Sequence, residues 1–238
     1  MDKMKKGTLY LIPSLLGESQ VDAVFPPANR EIIFRIKYFI VEELRTARRF
    51  LKKICPEIEI DSLTFTLYNE HTSSTDASLF LEPLRNGHDT GIISEAGTPC
   101  VADPGSLVVR LAHESGIRIA PLIGPSSILL ALMSSGFNGQ QFVFHGYLPI
   151  DKAARARRLR EIEQDIIRKD QTQVFIETPY RNLQLLQAIT ETCQESTLVC
   201  LATSLTTPEE CIITLSVKEW KKKKPELNKK PTVFLLYR

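Results

Sequence analysis

The segment GIISEAGTPCVADPG, residues 91–105, combines three glycines and two prolines with two carboxylates directly after a short apolar run. Gly97 permits main-chain conformations that other residues avoid, and it lets a ligand approach the main chain closely. Pro99 and Pro104 stiffen the loop on both sides, so that binding there costs little conformational entropy. Since parallel α/β sheets bind ligands at the carboxyl ends of their strands, the segment predicts a binding site made largely of main chain. An ordinary turn between a strand and a helix is the alternative.

A second loop of the same kind is Gly124-Pro125-Ser126-Ser127, which precedes an apolar stretch with helical character. Ser126 or Ser127 is predicted to cap the amino terminus of that helix. The free N–H groups of the first turn would then be available to a carboxylate or hydroxyl of a ligand. Capping alone is the alternative interpretation.

Familiar sites for other chemistry are missing from the sequence. It contains no GxGxxG dinucleotide fingerprint, no GxxxxGK[ST] phosphate loop, no HExxH and no GxSxG motif. The four histidines show no metal-ligand spacing with one another or with cysteine, so we predict no metal site. They are His71, His88, His113 and His145.

The composition is that of an ordinary globular protein: 238 residues, 43% hydrophobic, 24% charged and a net charge of +2. Five widely spaced cysteines without a CxxC pair indicate reduced thiols in a cytosolic protein. Pro13 interrupts the first apolar stretch, which predicts a strand rather than a signal peptide. No later run reaches the roughly 18 apolar residues that a membrane span needs. We therefore predict a cytoplasmic protein without membrane contact.

The elements that must position the two loops alternate between strand and helix. For the first part of the chain the patterns predict strands at 8–12, 38–41, 64–67, 90–94 and 118–122, and helices at 43–53, 79–85 and 107–114. Such alternation predicts an α/β domain with a largely parallel sheet.

A second alternating set follows, with strands at 142–146, 173–177, 197–202, 211–216 and 232–237, and helices at 127–135, 153–169, 182–193 and 217–220. Two α/β lobes, 1–122 and 123–238, fit this pattern better than one sheet of ten strands.

Four segments, in this order and at these spacings, resemble the S-adenosylmethionine (SAM)-dependent methyltransferases of the tetrapyrrole methylase superfamily, a class without the classical methyltransferase glycine motif. They are GIISEAGTPCVADPG, PLIGPSSILLALMSSGF, FVFHGYLPIDKAARARRLREI and VFIETPYRNLQLLQAI. The likeness is greatest to the branch that methylates the ribose 2′-oxygen of 16S ribosomal RNA. It implies two α/β lobes with SAM in the cleft between them, a homodimer, and ribosomal RNA or the small ribosomal subunit as partner.

The resemblance also implies site residues by position. Those matching its SAM-binding segments are Pro13, Glu95, Ala96, Gly97, Thr98, Pro99, Ser126, Ser127, Phe175, Ile176 and Glu177. Other family blocks are altered at 12–17, 42–45 and 203–207. Two alternatives therefore stay open: methylation of a tetrapyrrole or another small acceptor, and a non-catalytic SAM-binding protein.

Methyl transfer to a hydroxyl needs an aligned acceptor and benefits from a general base. The candidates are Glu42, Glu95 and Glu177, each of which could instead be an ion-pair or capping carboxylate. Basic residues that could neutralise RNA phosphates cluster at one end of the helix predicted at 153–169. A second basic group lies at 45–49, and one further arginine belongs to the segment VFIETPYRNLQLLQAI. The candidates are Arg45, Arg48, Arg155, Arg158 and Arg181. A solvated helix face is the alternative for the long helix.

Overall fold

A computed structural model of the chain describes residues 5–68 and 79–238. It divides into two compact units: unit 1 ends at Pro125 and unit 2 begins at Ser126. The division predicted from the sequence was after residue 122, in the loop that follows the last strand of unit 1. Each unit contains its own sheet, and the two are described separately.

The sheet of unit 1 is parallel throughout its described strands, as the alternating pattern predicted. Its order is β3-β2-β4-β1-β5. In the register, Ile93 lies opposite Ile12 on one side and opposite Val41 on the other, so β1, β2 and β4 end level with one another. The strands are β1 (Thr8–Ile12), β2 (Tyr38–Val41), β3 (Thr64–Leu67), β4 (Thr90–Ile93) and β5 (Arg118–Pro121).

The strand order creates a crevice between β2 and β4. After β2 the chain continues outward to β3 at one edge, whereas after β4 it crosses β1 to reach β5 at the opposite edge. The connections that leave these two neighbouring strands therefore diverge. Open α/β sheets bind ligands outside the carboxyl ends of strands at such a switch point.

Helices cover both faces of this sheet. Phe39 and Ile40 are consecutive in β2 and point to opposite faces, where each joins a separate apolar core. The described helices are α1 (Val21–Val24), α2 (Pro27–Arg35), α3 (Leu44–Ile54), α4 (Glu82–Arg85) and α5 (Ser106–Glu114).

Three of these helices differ from the sequence-based expectation. The sequence patterns did not predict α1 and α2, because α1 is one turn long and the buried residues of α2 are only Asn29 and Ile33. The helix predicted at 79–85 is reduced, among described residues, to α4, with Pro83 in its first turn. Proline favours a first turn since its missing N–H is unpaired there in any case.

The sheet of unit 2 is mixed, with the order β6-β7-β10-β8-β9. Strands β6 and β7 pair in parallel, but β10 enters between β7 and β8 in the opposite direction, and β8 and β9 are antiparallel. The largely parallel arrangement that alternation predicts is therefore limited to unit 1. The strands are β6 (Phe142–Tyr147), β7 (Thr172–Ile176), β8 (Leu198–Thr203), β9 (Cys211–Ser216) and β10 (Thr232–Tyr237).

One apolar core fills unit 2. The rings of Phe175 and Phe234 stack at 5.9 Å between neighbouring strands. The Trp220 indole N–H donates to the main-chain oxygen of Val199 at 2.9 Å, so the buried polar atom of this side chain is paired. The helices are α6 (Ser127–Ser135), α7 (Lys152–Lys169), α8 (Asn182–Thr192) and α9 (Val217–Trp220). No helix within the described parts of the chain is both long and apolar enough to cross a membrane.

Candidate functional site

Three loops of unit 1 meet at the carboxyl ends of β1, β4 and β5. The Ser14 N–H donates to the Gly97 carbonyl at 2.9 Å, which ties the loop after β1 to the loop after β4. Gly97 has φ +76°, and a Cβ placed on it would lie 3.1 Å from Leu16 Cδ2 and 3.4 Å from the Pro125 carbonyl oxygen. A Cβ on Gly124 would lie 2.2 Å from Pro13 Cγ. This edge is therefore built from closely packed main chain, as residues 91–105 led us to expect.

Ser14 contributes a polar atom to this edge. Its residue is 4% exposed, and its hydroxyl oxygen is buried without a hydrogen-bond partner among the described residues. Such an atom costs free energy unless something pairs with it. It is thus a candidate ligand contact, and the sequence provided no signal for it beyond its place next to Pro13.

The loop between β4 and α5 is strained. Positive φ angles occur not only at Gly97 and Gly105 but also at Cys100 (67°) and Ala102 (56°). Side chains rarely adopt this conformation, and such residues often cluster at functional sites. Cys100 and Ala102 closely precede Asp103, so their backbone conformation helps to position its side chain.

Asp103 is a functional candidate that the sequence-based selection missed. Its carboxyl lines a small cavity together with Glu42, which directly follows β2, and the side chains of Ser94 and Glu42 lie close enough to affect its pKa. Burial, together with the charges on Glu42 and Glu95, raises the pKa of Asp103 to about 7. The only sequence signal was that Asp103 stands in the same unusual segment as Glu95.

Glu95, a predicted catalytic and SAM-binding residue, lies at the same edge but is exposed. The Thr46 hydroxyl is 2.9 Å from both carboxylate oxygens of Glu95, while the Thr46 N–H donates to Glu43, the N-cap of α3, at 2.7 Å. Partial burial raises the pKa of Glu95, and the Thr46 hydrogen bond opposes that rise. Thr46 therefore links Glu43, at the start of α3, with Glu95, which follows β4.

Helix α3 presents three exposed arginines, Arg45, Arg48 and Arg49, on one side. Residues three and four apart are neighbours on a helix surface, so these like charges repel one another. None of the three forms an ion pair among the residues that the structure describes, although the Arg48 guanidinium lies 5.5 Å from the centre of the Phe65 ring. The predicted phosphate-binding role of Arg45 and Arg48 is compatible with this exposure.

In unit 2, Glu177 and Arg181 form an ion pair at 2.6 Å. The Glu177 side chain is fully buried, and its Oε1 also accepts from the Thr178 N–H at 2.6 Å. Its Oε2 is buried without a partner in the described chain. Both side chains are thus committed to the turn between β7 and α8, which disfavours Glu177 as a base and Arg181 as a phosphate contact.

Two other predicted residues have side chains that are not free to bind. Phe175 is fully buried in the core, so no cofactor contact can involve its ring, although its neighbour Ile176 is partly exposed. Arg155 is 7% exposed and donates to the Ile150 carbonyl at 3.3 Å. This burial disfavours the predicted contact of Arg155 with phosphate, because the helix turns the residue inward.

Arg158 is half-buried and has two partners. It donates to Glu161 Oε2 at 3.0 Å and lies 3.1 Å from His145 Nδ1. His145 Nε2 is 2.7 Å from Gln173 Oε1. Burial lowers the pKa of His145, so the ring is neutral and can accept from the guanidinium. Arg158 is held in place, with part of its charge offset by Glu161.

Ser126 caps α6, with its hydroxyl accepting from the Leu129 N–H at 3.5 Å, and Ser127 begins the helix. The capping prediction is confirmed, while ligand binding by these two serines stays a prediction. The contact of SAM with both lobes also stays a prediction. Among described residues no group of three or more His, Cys, Asp or Glu side chains is arranged to hold a metal ion.

Comparison with known proteins adds independent information. The sequence pattern of the tetrapyrrole (corrin/porphyrin) methylases matches residues 27–221. Ribosomal RNA small subunit methyltransferase I of Pseudomonas aeruginosa is 29% identical over 216 residues, covering 91% of this chain and 72% of that protein.

Two solved structures share the fold. The methyltransferase CobJ aligns with a TM-score of 0.63 and 21% identity over 98% of this chain and 94% of its own. Uroporphyrin-III C-methyl transferase from Thermus thermophilus, solved in complex with S-adenosylhomocysteine, aligns with a TM-score of 0.56 and 14% identity over 98% of both chains.

Proposed function

Because this chain belongs to the tetrapyrrole (corrin/porphyrin) methylase family, we propose that it is a SAM-dependent methyltransferase acting on a ribose 2′-hydroxyl of 16S ribosomal RNA. The name of the Pseudomonas aeruginosa relative supports the RNA acceptor. The complex of the Thermus thermophilus neighbour with S-adenosylhomocysteine supports the methyl donor.

The edge of unit 1 fits a ligand of this kind. Gly97 leaves a space that any side chain would fill, and the Ser14 hydroxyl has no hydrogen-bond partner among the described residues. The main chain of residues 95–99, together with Pro13 and Ser14, would hold the donor, with Ser126, Ser127 and Ile176 as further candidates from unit 2. When bound, SAM supplies an electrophilic methyl group on a sulfonium.

The observation that carries the RNA acceptor is the set of exposed arginines on α3, which form no ion pair with the described residues. The helix begins one residue after Glu43, so Arg45 lies close to the carboxylates at the ends of β2 and β4. Arg48 and Arg49 extend this positive charge along the helix. Unpaired, exposed arginines neutralise phosphates without reading base sequence, which suits the positioning of a ribose.

In this proposal the protein acts in the cytoplasm, where it would meet the small ribosomal subunit, and forms a homodimer. The exposed side chains of Leu129 and Met133 lie one turn apart on α6, which supports a partner surface there. Light scattering coupled to size exclusion would give the mass directly, and a monomer at micromolar concentration would refute the dimer.

The decisive experiment maps 2′-O-methyl groups on ribosomal RNA from cells with and without the gene. We expect one 16S position to lose its methyl group in the deletion and to regain it when purified protein and SAM are added to small subunits. An unchanged map, together with methylation of a porphyrinoid by the purified protein, would favour the small-acceptor alternative. Absence of SAM binding by calorimetry at millimolar concentration would remove both enzyme functions.

A further inference from the structure

Two carboxyl groups meet in the crevice between β2 and β4. Glu42 directly follows β2, and Asp103 belongs to the strained loop that follows β4. The two side chains lie close together although 61 positions separate them in the chain. A narrow cavity opens beside them, lined by Val41, Glu42, Tyr68, Ile93, Asp103 and Pro104.

The groups around Asp103 favour its protonated form. Glu42 faces it from the end of β2 and Glu95 from the end of β4, and both are acidic. Cys100, in the same loop, lies close enough to interact with it, and Tyr68 lines the cavity from the end of β3. Of the groups that shift the pKa of Asp103, the Ser94 side chain lowers it, although its hydroxyl donates to the Ala96 carbonyl at 3.1 Å. Neighbouring carboxylates disfavour each other's ionisation, so the charge on Glu42 adds to the rise that burial causes in the pKa of Asp103.

We propose that Asp103, which lines this cavity beside Glu42, is the general base that accepts the proton of the acceptor hydroxyl. This inference rests on the proposed function. The hydroxyl oxygen forms a bond to the methyl carbon, the carbon–sulfur bond breaks with its electron pair remaining on sulfur, and the hydroxyl proton passes to the Asp103 carboxylate. The proton is then released to solvent.

Asp103 suits this role better than the carboxylates selected from the sequence. A general base works best when its pKa is near the operating pH, and burial, together with the neighbouring charges, raises the pKa of Asp103 to about 7. Glu177 is held by Arg181 and buried in unit 2, whereas Glu95 is exposed and bonded to Thr46. Glu42 is a positioning residue that acts through Asp103, because its charge raises the pKa of the Asp103 carboxyl.

The test combines rates with a direct titration. We would measure kcat/KM for methylation of small subunits between pH 5.5 and 9 for wild type, Asp103→Asn, Glu42→Gln and the exposed control Glu114→Gln. The Asp103 carboxyl would be titrated by carbon-13 NMR in labelled protein and assigned by its loss in Asp103→Asn. Calorimetry with SAM and circular dichroism would check binding and folding.

The wild-type rate should rise with pH to a plateau, with an inflection near 7 that matches the NMR titration of Asp103. Asp103→Asn should lose about 100-fold or more of the rate, the lower range for a general base, and should lose the inflection. Glu42→Gln should move both the inflection and the titration to lower pH, because a neutral amide no longer raises the pKa of Asp103. Glu114→Gln should match wild type.

Active wild type whose Asp103 titrates near pH 4, or a folded Asp103→Asn variant within threefold of the wild-type rate, would overturn the inference and leave the proposed function standing. Should Asp103→Asn fail to fold, an unmoved inflection in Glu42→Gln would overturn it equally. If wild type methylates no RNA while Asp103 still titrates near 7, the proposed function fails and the carboxyl pair stands as a structural fact without that role.

Discussion

Gly97 shows how one residue can determine whether a ligand fits. Its φ of +76° is expensive for any side chain, and Leu16 and the Pro125 carbonyl leave little space for one. The positive φ limits which residues can stand at position 97, whereas the free space beside its main chain limits whether a ligand can bind there. Gly136 has nearly the same φ, +79°, with no atom within 4 Å of an added Cβ.

We therefore expect Gly97→Val to abolish SAM binding by calorimetry, whereas Gly136→Val should bind normally. Both variants carry the cost of a left-handed side chain, roughly 1 to 2 kcal/mol, and Gly97→Val should lose more stability in urea because Leu16 and the Pro125 carbonyl crowd its side chain. Unchanged SAM affinity in a folded Gly97→Val variant would mean that the loop is only a stiff turn.

The pair formed by Glu177 and Arg181 is also decided at the scale of single side chains. The carboxylate is fully buried and the guanidinium 26% exposed, so removing Arg181 would leave a buried charge without its counterion. Such losses typically cost about 3 to 5 kcal/mol.

We expect Arg181→Met to lower the free energy of unfolding by about 3 kcal/mol, the lower end of that range because Arg181 is partly solvated. Adding Glu177→Gln should recover part of the loss, and the exposed control Arg110→Met should change stability by less than about 0.5 kcal/mol. If Arg181→Met instead keeps its stability and weakens RNA binding, the predicted phosphate contact is correct after all.

At the scale of elements, α3 and α7 show that basic composition does not identify a binding face. On α7 one of the two selected arginines is buried and the other is paired with Glu161, whereas Arg45 and Arg48 on α3 are exposed. A helix can direct its cations inward, toward its own acids or outward, and only the last arrangement leaves them available to phosphates.

We expect Arg45→Ala and Arg49→Ala each to weaken RNA binding, measured by fluorescence anisotropy over a range of KCl concentrations. If each contacts one phosphate of a single strand, the slope of log K against log salt should fall by about 0.7 per substitution. Arg110→Ala, an exposed arginine on α5, is the matched control and should leave the slope unchanged. An effect on affinity without a change in slope would argue against phosphate contacts.

At the scale of the whole molecule, each apolar core among the described residues lies within one unit. Phe39 is buried in unit 1 and Phe234 in unit 2, and the core clusters share no residue across the division. The only tryptophan of the chain, Trp220, is buried in unit 2 and bonded to Val199. Its fluorescence therefore reports the packing of unit 2 alone.

We expect Phe39→Ala to cost unit 1 about 3 to 5 kcal/mol and to reduce hydrogen-exchange protection in β1, β2 and β4. The urea midpoint of Trp220 fluorescence should stay at the wild-type value. Phe234→Ala, its counterpart in unit 2, should lower that midpoint. A shift of the Trp220 midpoint by both variants would show that the units unfold as one.

The sequence by itself determined the strands, the parallel sheet of unit 1, the main-chain character of residues 91–105 and the family. These depend on local signals: apolar periodicity sets strands and helices, and glycine and proline limit the backbone wherever they stand. Strands β1, β2, β3, β9 and β10 have the bounds that their patterns predicted. Helices α1 and α2 were missed because their local patterns are weak.

Only the tertiary structure decided the features that join distant residues. The meeting of Glu42 with Asp103, the insertion of β10 between β7 and β8, and the burial of Arg155 each depend on which segments pack together. A titratable group acquires its proton affinity from neighbours and burial rather than from its own type. The sequence of residues 91–105 therefore predicted the correct edge of the sheet. It did not predict that Asp103 would have the most perturbed carboxyl pKa at that edge, because this pKa depends on residues brought together by folding.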